Sequence, residues 1–376
     1  MAPHGVVSAD SHVTEPADLW QERIDRRLRD RAPYVTKNPG PGPAWLFIAE
    51  GTAPFPVSGG FAAGRSGKAL AEFQQAGYAD ARPSGWDPVA RIADQELDGI
   101  DAEVLYPSLA MKLFAIADGE LQRACFAAYN DWLAEYCSHD RKRLYGAGLV
   151  SLEDVAQGVR DLEAIAKQGM RAAMIWGAPP EDRPYDDPAY DPFWRAAEAL
   201  ELPVSLHIIA GRGRVSNAVS SAVQGRTHSG VWYMSVLHEI QDSLARITFG
   251  GVLHRFPGLR IVSAENDVGW IPHFMYRMDH CHEKYCALWS NATPEPPSFY
   301  LRRQLFATFQ DDPIGPATHQ IFGRENYMWA SDFPHSDSTF PESRQWLDKN
   351  FAGVPAEVRR RIVRDNAVEL YRMEVA

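Results

Sequence analysis

Seven side chains of the kinds that bind metals or move protons stand at or just beyond the ends of short apolar runs. The first run leads into Asp10-Ser11-His12, with Glu15 close behind. Later runs end in His207, in Glu265 and in Asp332, the last continuing to His335. If the runs are strands, residues two apart point the same way, so Asp10 and His12 face one side together. Four carboxylates gathered in one place cannot all stay ionised without a counter-cation. No Lys or Arg stands at a run end to supply it, so a bound metal is the economical solution, with carboxylate and imidazole as its ligands. Each residue taken alone has a plainer reading. Asp-x-His at a strand end arises often, His207 fits a satisfied buried histidine, Glu265 fits a helix cap, and Glu15-Pro16 fits the first turn of a helix. Their shared place at strand ends favours the metal.

Something must bring residues hundreds of positions apart to one point. The apolar runs are Gly5–Ala9, Ala102–Tyr106, Leu144–Val150, Arg171–Trp176, Pro203–Ile208, Leu259–Ala264, Gln304–Phe309 and Tyr327–Ala330. Each is too short for a helix and lacks clean alternation, as strands buried on both faces do. Helical spacing fills the intervals, over Glu120–Cys137, Leu152–Gln168, Phe193–Leu200 and Ala356–Tyr371. Strands alternating with helices predict an α/β fold, a (β/α)8 barrel of the TIM type in one domain over 1–376, whose chemistry gathers at the C-terminal strand ends. Residues 33–88 break the rhythm. They are rich in Pro and Gly yet carry Trp45, Phe47, Phe55, Phe61, Phe73 and Trp86, which predicts an irregular insertion, either a lid over the mouth or a loop packed outside. A second irregular stretch, 211–230, follows the fifth run.

Composition narrows the function. Of 376 residues, 38 are Lys or Arg and 49 are Asp or Glu, a net charge of −11. That balance, with no basic block, argues against nucleic acid as a partner. No stretch approaches the roughly 18 apolar residues of a membrane span, and Met1–Val7 does not read as a signal peptide. Cys125, Cys137, Cys281 and Cys286 form no CxxC pair, so a reducing cytoplasm is expected. GxSxG, P-loop and HExxH patterns are missing. The ligand-rich stretch Asp279–Glu283 with Cys286 reads as a helix whose neighbouring side chains point apart.

Longer motifs then become recognisable: Asp10-Ser11-His12-Val13-Thr14-Glu15-Pro16, Tyr129-Asn130-Asp131-Trp132, Asp191-Pro192-Phe193-Trp194, Leu202-Pro203-Val204-Ser205-Leu206-His207, Phe256-Pro257-Gly258-Leu259-Arg260 and Ser331-Asp332-Phe333-Pro334-His335. With these, nearly the whole chain resembles the amidohydrolase-related family that includes the aminocarboxymuconate-semialdehyde and resorcylate decarboxylases. The resemblance implies metal dependence, with His12, His207 and Asp332 as ligands, and makes a homodimer plausible. The chain also departs from the pattern. Asp10-x-His12 replaces the His-x-His of many members, Glu265 stands where the decarboxylases usually present a histidine, and the fourth run ends in Ile175-Trp176 without the bridging lysine of two-metal hydrolases.

Asp10, Glu15, Glu265 and Asp332 together would neutralise two divalent ions, and a carboxylate-rich set favours iron or manganese over zinc. The departures are similar to those of a small group of dinuclear nonheme iron members. That likeness implies a monooxygenase using two Fe and dioxygen to hydroxylate a small apolar substrate. Asp10, His12 and Asp332 would hold one metal, His207 and Glu265 the other, with Glu15 bridging or completing the second site and His335 orienting a ligand carboxylate. Trp176 is a candidate pocket residue. The alternative is a hydrolase or carboxy-lyase with one Zn or Mn and Glu265 or His335 as acid/base. A third reading is a catalytically silent barrel that serves as a partner subunit.

Overall fold

The computed structural model describes residues 5–212 and 229–375. Eight strands form one sheet: β1 (Val7–His12), β5 (Ala102–Tyr106), β6 (Leu144–Leu149), β7 (Ala172–Ile175), β8 (Val204–His207), β9 (Ile261–Ala264), β10 (Leu305–Phe309) and β11 (Tyr327–Trp329). Each strand in this order pairs with the next in parallel. It is the barrel that the apolar runs predict, and all eight strands fall within or beside those runs. The helices between them are punctuated by chemistry visible in the sequence. Asp87 caps Pro88–Asp98 and Gly99 ends it at φ 74°; Asp154 caps Val155–Gln168 and Gly169 ends it at φ 90°. Helices lie tight on the sheet at Gly148, where an added Cβ would come within 2.9 Å of Ile165.

β11 returns to β1 to close the barrel. The Asp332 N–H donates to the Asp10 carbonyl (3.0 Å) and the His12 N–H to the Phe333 carbonyl (2.7 Å). The hydroxyls of Ser8, Ser11 and Ser331 knit the same seam, and the Ser331 N–H donates to Ser8 Oγ at 2.8 Å. Beneath it lies Arg91, fully buried. Its guanidinium pairs with Glu103 at 2.6 and 3.0 Å and donates to the carbonyls of His12 (2.7 Å) and Phe333 (3.2 Å).

The 33–88 stretch contains a small antiparallel sheet, β2 (Tyr34–Lys37), β3 (Trp45–Ile48) and β4 (Phe55–Pro56), followed by a short helix at Gly67–Phe73. The sequence predicts an irregular region throughout, because strands of two to four residues leave too little periodicity to detect. The last predicted helix, Ala356–Tyr371, is divided by a π-turn at Arg361–Asp365. Among the described residues no helix is long and apolar enough to cross a membrane. Most of 211–230, and His228 with it, lies outside the described residues.

Candidate metal centre

The strand ends place six of the seven predicted side chains around one point. Asp10 and His12 come from β1, which carries a bulge between Ser8 and Ser11. His207 ends β8, Glu265 follows β9, and Asp332 and His335 follow β11. His12 Nε2 lies 3.5 Å from Asp10 Oδ1, 3.5 Å from Glu265 Oε2 and 3.1 Å from Asp332 Oδ1. His207 Nε2 lies 3.6 Å from Asp10 Oδ1 and 3.4 Å from Glu265 Oε2. Asp10, His12, His207 and Asp332 are completely buried, whereas the Glu265 side chain keeps 17% exposure.

Hydrogen bonds fix which atoms are offered. His12 Nδ1 is 2.7 Å from the Pro107 carbonyl and His207 Nδ1 is 3.0 Å from the Ile208 carbonyl. A carbonyl only accepts, so each Nδ1 carries a proton and Nε2 is the atom each ring turns toward the carboxylate oxygens. Thr308 Oγ1 donates to Asp10 Oδ2 (2.8 Å) and receives the Glu265 N–H (2.8 Å). Five buried atoms then have no hydrogen-bond partner: Asp10 Oδ1, His12 Nε2, His207 Nε2, Asp332 Oδ1 and Asp332 Oδ2. Carboxylates gathered this closely repel one another, and each unsatisfied buried group costs about 1–3 kcal/mol. A cation among them resolves the conflict, so the residues present fit a divalent metal. Among the described residues two ligand groups are available, His12-Glu265-Asp332-His335 and Asp10-His12-His207, sharing His12.

The electrostatics carry the same demand. Burial opposes protonation of His12, but Asp332 and Glu265, with Asp10, raise its pKa well above the ordinary imidazole value. Burial would raise Asp332, yet His335 and His12 outweigh it and hold that carboxyl below the usual range. The backbone is strained here as well. Glu265 (φ 55°) and Asp332 (φ 57°) sit in the left-handed region, at a cost of about 1–3 kcal/mol each that surrounding structure must offset.

His335 reaches the centre through a contact the sequence does not reveal. Its Nδ1 is 3.1 Å from Asp332 Oδ1, and its Nε2 is 2.8 Å from Ser108 Oγ. Ser108 donates its own proton to the Val13 carbonyl (2.7 Å), so it accepts from His335 and Nε2 carries a hydrogen. Ser108 and Thr308 have no distinguishing motif; only their position one or two residues from a strand end could have drawn notice.

Glu15 is a correction. Its oxygens accept the backbone N–H groups of Leu109 (2.8 Å) and Ala110 (2.9 Å), and it belongs to neither ligand group. It clasps the loop after β5, and with it Ser108, to the loop after β1. Burial pushes its pKa up to about 7, against the pull of those two N–H bonds. An acid whose pKa is higher folded than unfolded contributes stability below its unfolded value of 4.5, and that stability is lost as pH rises through 7. Glu15→Gln is therefore expected to flatten the stability profile by about 3 kcal/mol between about pH 4 and pH 8. Urea unfolding of both chains at these two pH values checks it, and parallel losses in the two would refute it.

Above the centre opens a cavity of about 580 Å³. Glu265, Asp332 and His335 meet walls that include Met111, Ile208 and Trp232, while Phe55, Arg65 and Leu70 enter from the 33–88 stretch. Trp176 is not among its lining residues. It is buried, and its indole N–H donates to the Phe114 carbonyl. Asp279–Glu283 lies on the helix Ile271–Tyr285 and forms no ligand group; His282 instead meets the Thr293 carbonyl at 2.9 Å.

The profile of the Amidohydrolase family matches residues 12–373. The chain belongs to the amidohydrolase family. It is 24% identical to a gamma-resorcylate decarboxylase of Polaromonas over 307 residues, covering 76% of this chain and 87% of that protein. An amidohydrolase of Mycobacterium avium subsp. paratuberculosis superposes with a TM-score of 0.82 at 21% identity, over 99% of this chain and 98% of the other. A dihydroxybenzoic acid decarboxylase of Polaromonas, solved with bound manganese and 2-nitroresorcinol, gives a TM-score of 0.67 at 17% identity over 99% and 98%.

This amidohydrolase is a metal-dependent enzyme, but the expected dinuclear iron monooxygenase does not stand. The curated relatives are decarboxylases, and two Fe and dioxygen have no support. The physical error was in the charge count. Glu15 spends its oxygens on the backbone of Leu109 and Ala110 and joins neither ligand group, and the two groups share His12.

Proposed function

We propose that this amidohydrolase is a carboxy-lyase that releases CO2 from a small aromatic or conjugated carboxylic acid. The observation that carries the reading is the set of partnerless buried carboxylate and imidazole atoms at the floor of a largely apolar cavity. The decarboxylase relatives supply the reaction class. Asp10, His12, His207, Glu265 and Asp332 would hold one divalent ion, manganese suiting the oxygen-rich set. When bound, the ion supplies positive charge that orients an anionic substrate and stabilises charge developing on its oxygens.

The protein does the rest. Met111, Ile208 and Trp232 exclude water from a planar substrate. Breaking the carbon–carbon bond leaves its electron pair on the ring carbon, so one proton must arrive there as CO2 departs. His335 is placed to deliver it. With Nε2–H anchored on Ser108, a proton taken up at Nδ1 beside Asp332 would be the one that His335 passes on, and the ring would stay held by Ser108. The test supplies manganese-loaded enzyme with hydroxybenzoates bearing a carboxylate beside a hydroxyl, in deuterated water. Release of CO2, with one deuterium at the vacated carbon, is expected. Turnover of esters or amides with no CO2 from any such acid would overturn the reading.

A further inference from the structure

The metal centre occupies the C-terminal ends of the strands. At the opposite, N-terminal end lies a second cavity of about 400 Å³, outside the chemistry described above. Arg260, one residue before β9, lines it together with Arg302 and Arg303, which close the helix before β10. Two further arginines at its rim are neutralised: Arg361 by Glu325 (2.6 Å) and Glu369 (2.5 Å), and Arg372 by Glu201 (3.1 Å). Arg260, Arg302 and Arg303 have no carboxylate partner among the described residues.

These three guanidinium groups are anchored along one edge only, and by neutral acceptors. Arg260 Nη1 donates to the carbonyls of Gly258 (2.9 Å), Leu259 (3.3 Å) and Pro257 (3.4 Å). Arg302 Nη1 donates to the Ile321 carbonyl (2.7 Å). Arg303 donates from Nε and Nη2 to Gln304 Oε1 (3.0 and 2.7 Å), and from Nη2 to the Leu253 carbonyl (3.1 Å). Nε and Nη2 of Arg260, Nε and Nη2 of Arg302, and Nη1 of Arg303 remain without a partner among the described residues. Burial, and then the like charge of Arg303, lower the Arg260 pKa, against the smaller pull of Glu198 and Glu201. Five arginines against three glutamates leave two positive charges unanswered in a cavity of a chain whose net charge is −11. Chain-wide charge does not account for such a site, and pre-anchored guanidinium forks match the oxygens of a tetrahedral dianion.

We propose that this cavity binds a dianionic oxyanion, either phosphate itself or the phosphoryl group of a small organic phosphate, between Arg260, Arg302 and Arg303. Phe306 and Leu370, also in the lining, give an ester's organic part an apolar surface. The site is independent of the carboxy-lyase reading and stands or falls separately.

Calorimetric titration of the full-length metal-loaded protein with inorganic phosphate and with phenyl phosphate, at low ionic strength, tests it. Saturable binding of one anion per chain is expected, weakening as salt is added. Arg260→Ala and Arg303→Ala should each weaken it by about tenfold or more, the loss of a charged hydrogen bond. Arg302→Ala removes an exposed side chain with a single hydrogen bond, so it keeps the test open should the other variants fold poorly. Tighter binding of either probe upholds the site and tells whether bare anion or ester is its ligand. Asp332→Ala must leave the binding intact, since an anion that lodged at the metal centre would be lost there. No binding of either probe, binding unchanged in all three arginine variants, or binding abolished by Asp332→Ala would each overturn the proposal.

Discussion

Asp332→Ala is expected to lose metal and to lower kcat/KM by about a thousandfold or more, beyond the 10–100-fold typical when a partner that merely orients a ligand is removed. Both Asp332 oxygens are buried with no hydrogen-bond partner, and its Oδ1 stands 3.1 Å from both His12 Nε2 and His335 Nδ1. Deleting it takes a charge from the candidate metal centre and frees the imidazole proposed to move the proton. The fold should survive, because the deleted carboxylate makes no hydrogen bond to the scaffold. Alanine at φ 57° costs about 1 kcal/mol, whereas asparagine tolerates that region. Asp332→Asn therefore separates backbone strain from lost charge: it should retain stability and still lose metal and activity. Elemental analysis and turnover measured on the same preparations decide it. Full metal content with normal turnover in either variant would remove Asp332 from the centre.

The second large effect concerns stability. Arg91→Met should destabilise the fold by about 3–5 kcal/mol, because it leaves the buried Glu103 carboxylate without its cation. It also removes the donors on the carbonyls of His12 and Phe333, so the two sides of the barrel seam lose a shared anchor. The double variant Arg91→Met, Glu103→Gln should recover most of the loss, since no uncompensated charge remains. Denaturant midpoints for wild type and both variants measure this. Equal destabilisation in the single and double variants would show that the carbonyl contacts, not the buried charge, dominate.

The barrel was legible because strands buried on both faces leave apolar runs, and because apolar residues at helical spacing fill the intervals between them. The convergence of Asp10, His12, His207, Glu265 and Asp332 followed from strand-end position alone. Glu15 shows where such reading ends. Sequence displays a carboxylate's charge but not whether its lone pairs are already taken by Leu109 and Ala110. Counting Glu15 as free produced the second metal and, with it, the iron chemistry. Ser108, Thr308 and Arg91 were invisible for a related reason: their partners lie on other strands, and no periodicity records a contact across the barrel. The three short strands of the 33–88 stretch escaped because each has too few residues to show alternation.

Asp10 and His12 lie on one side of the seam and Asp332 on the other, so an ion held by all three would staple the barrel shut where its strands are joined by only a few hydrogen bonds. Its binding free energy would then count toward folding as well as toward reaction. Losing the metal would cost this protein its activity and also loosen its first strand from its last.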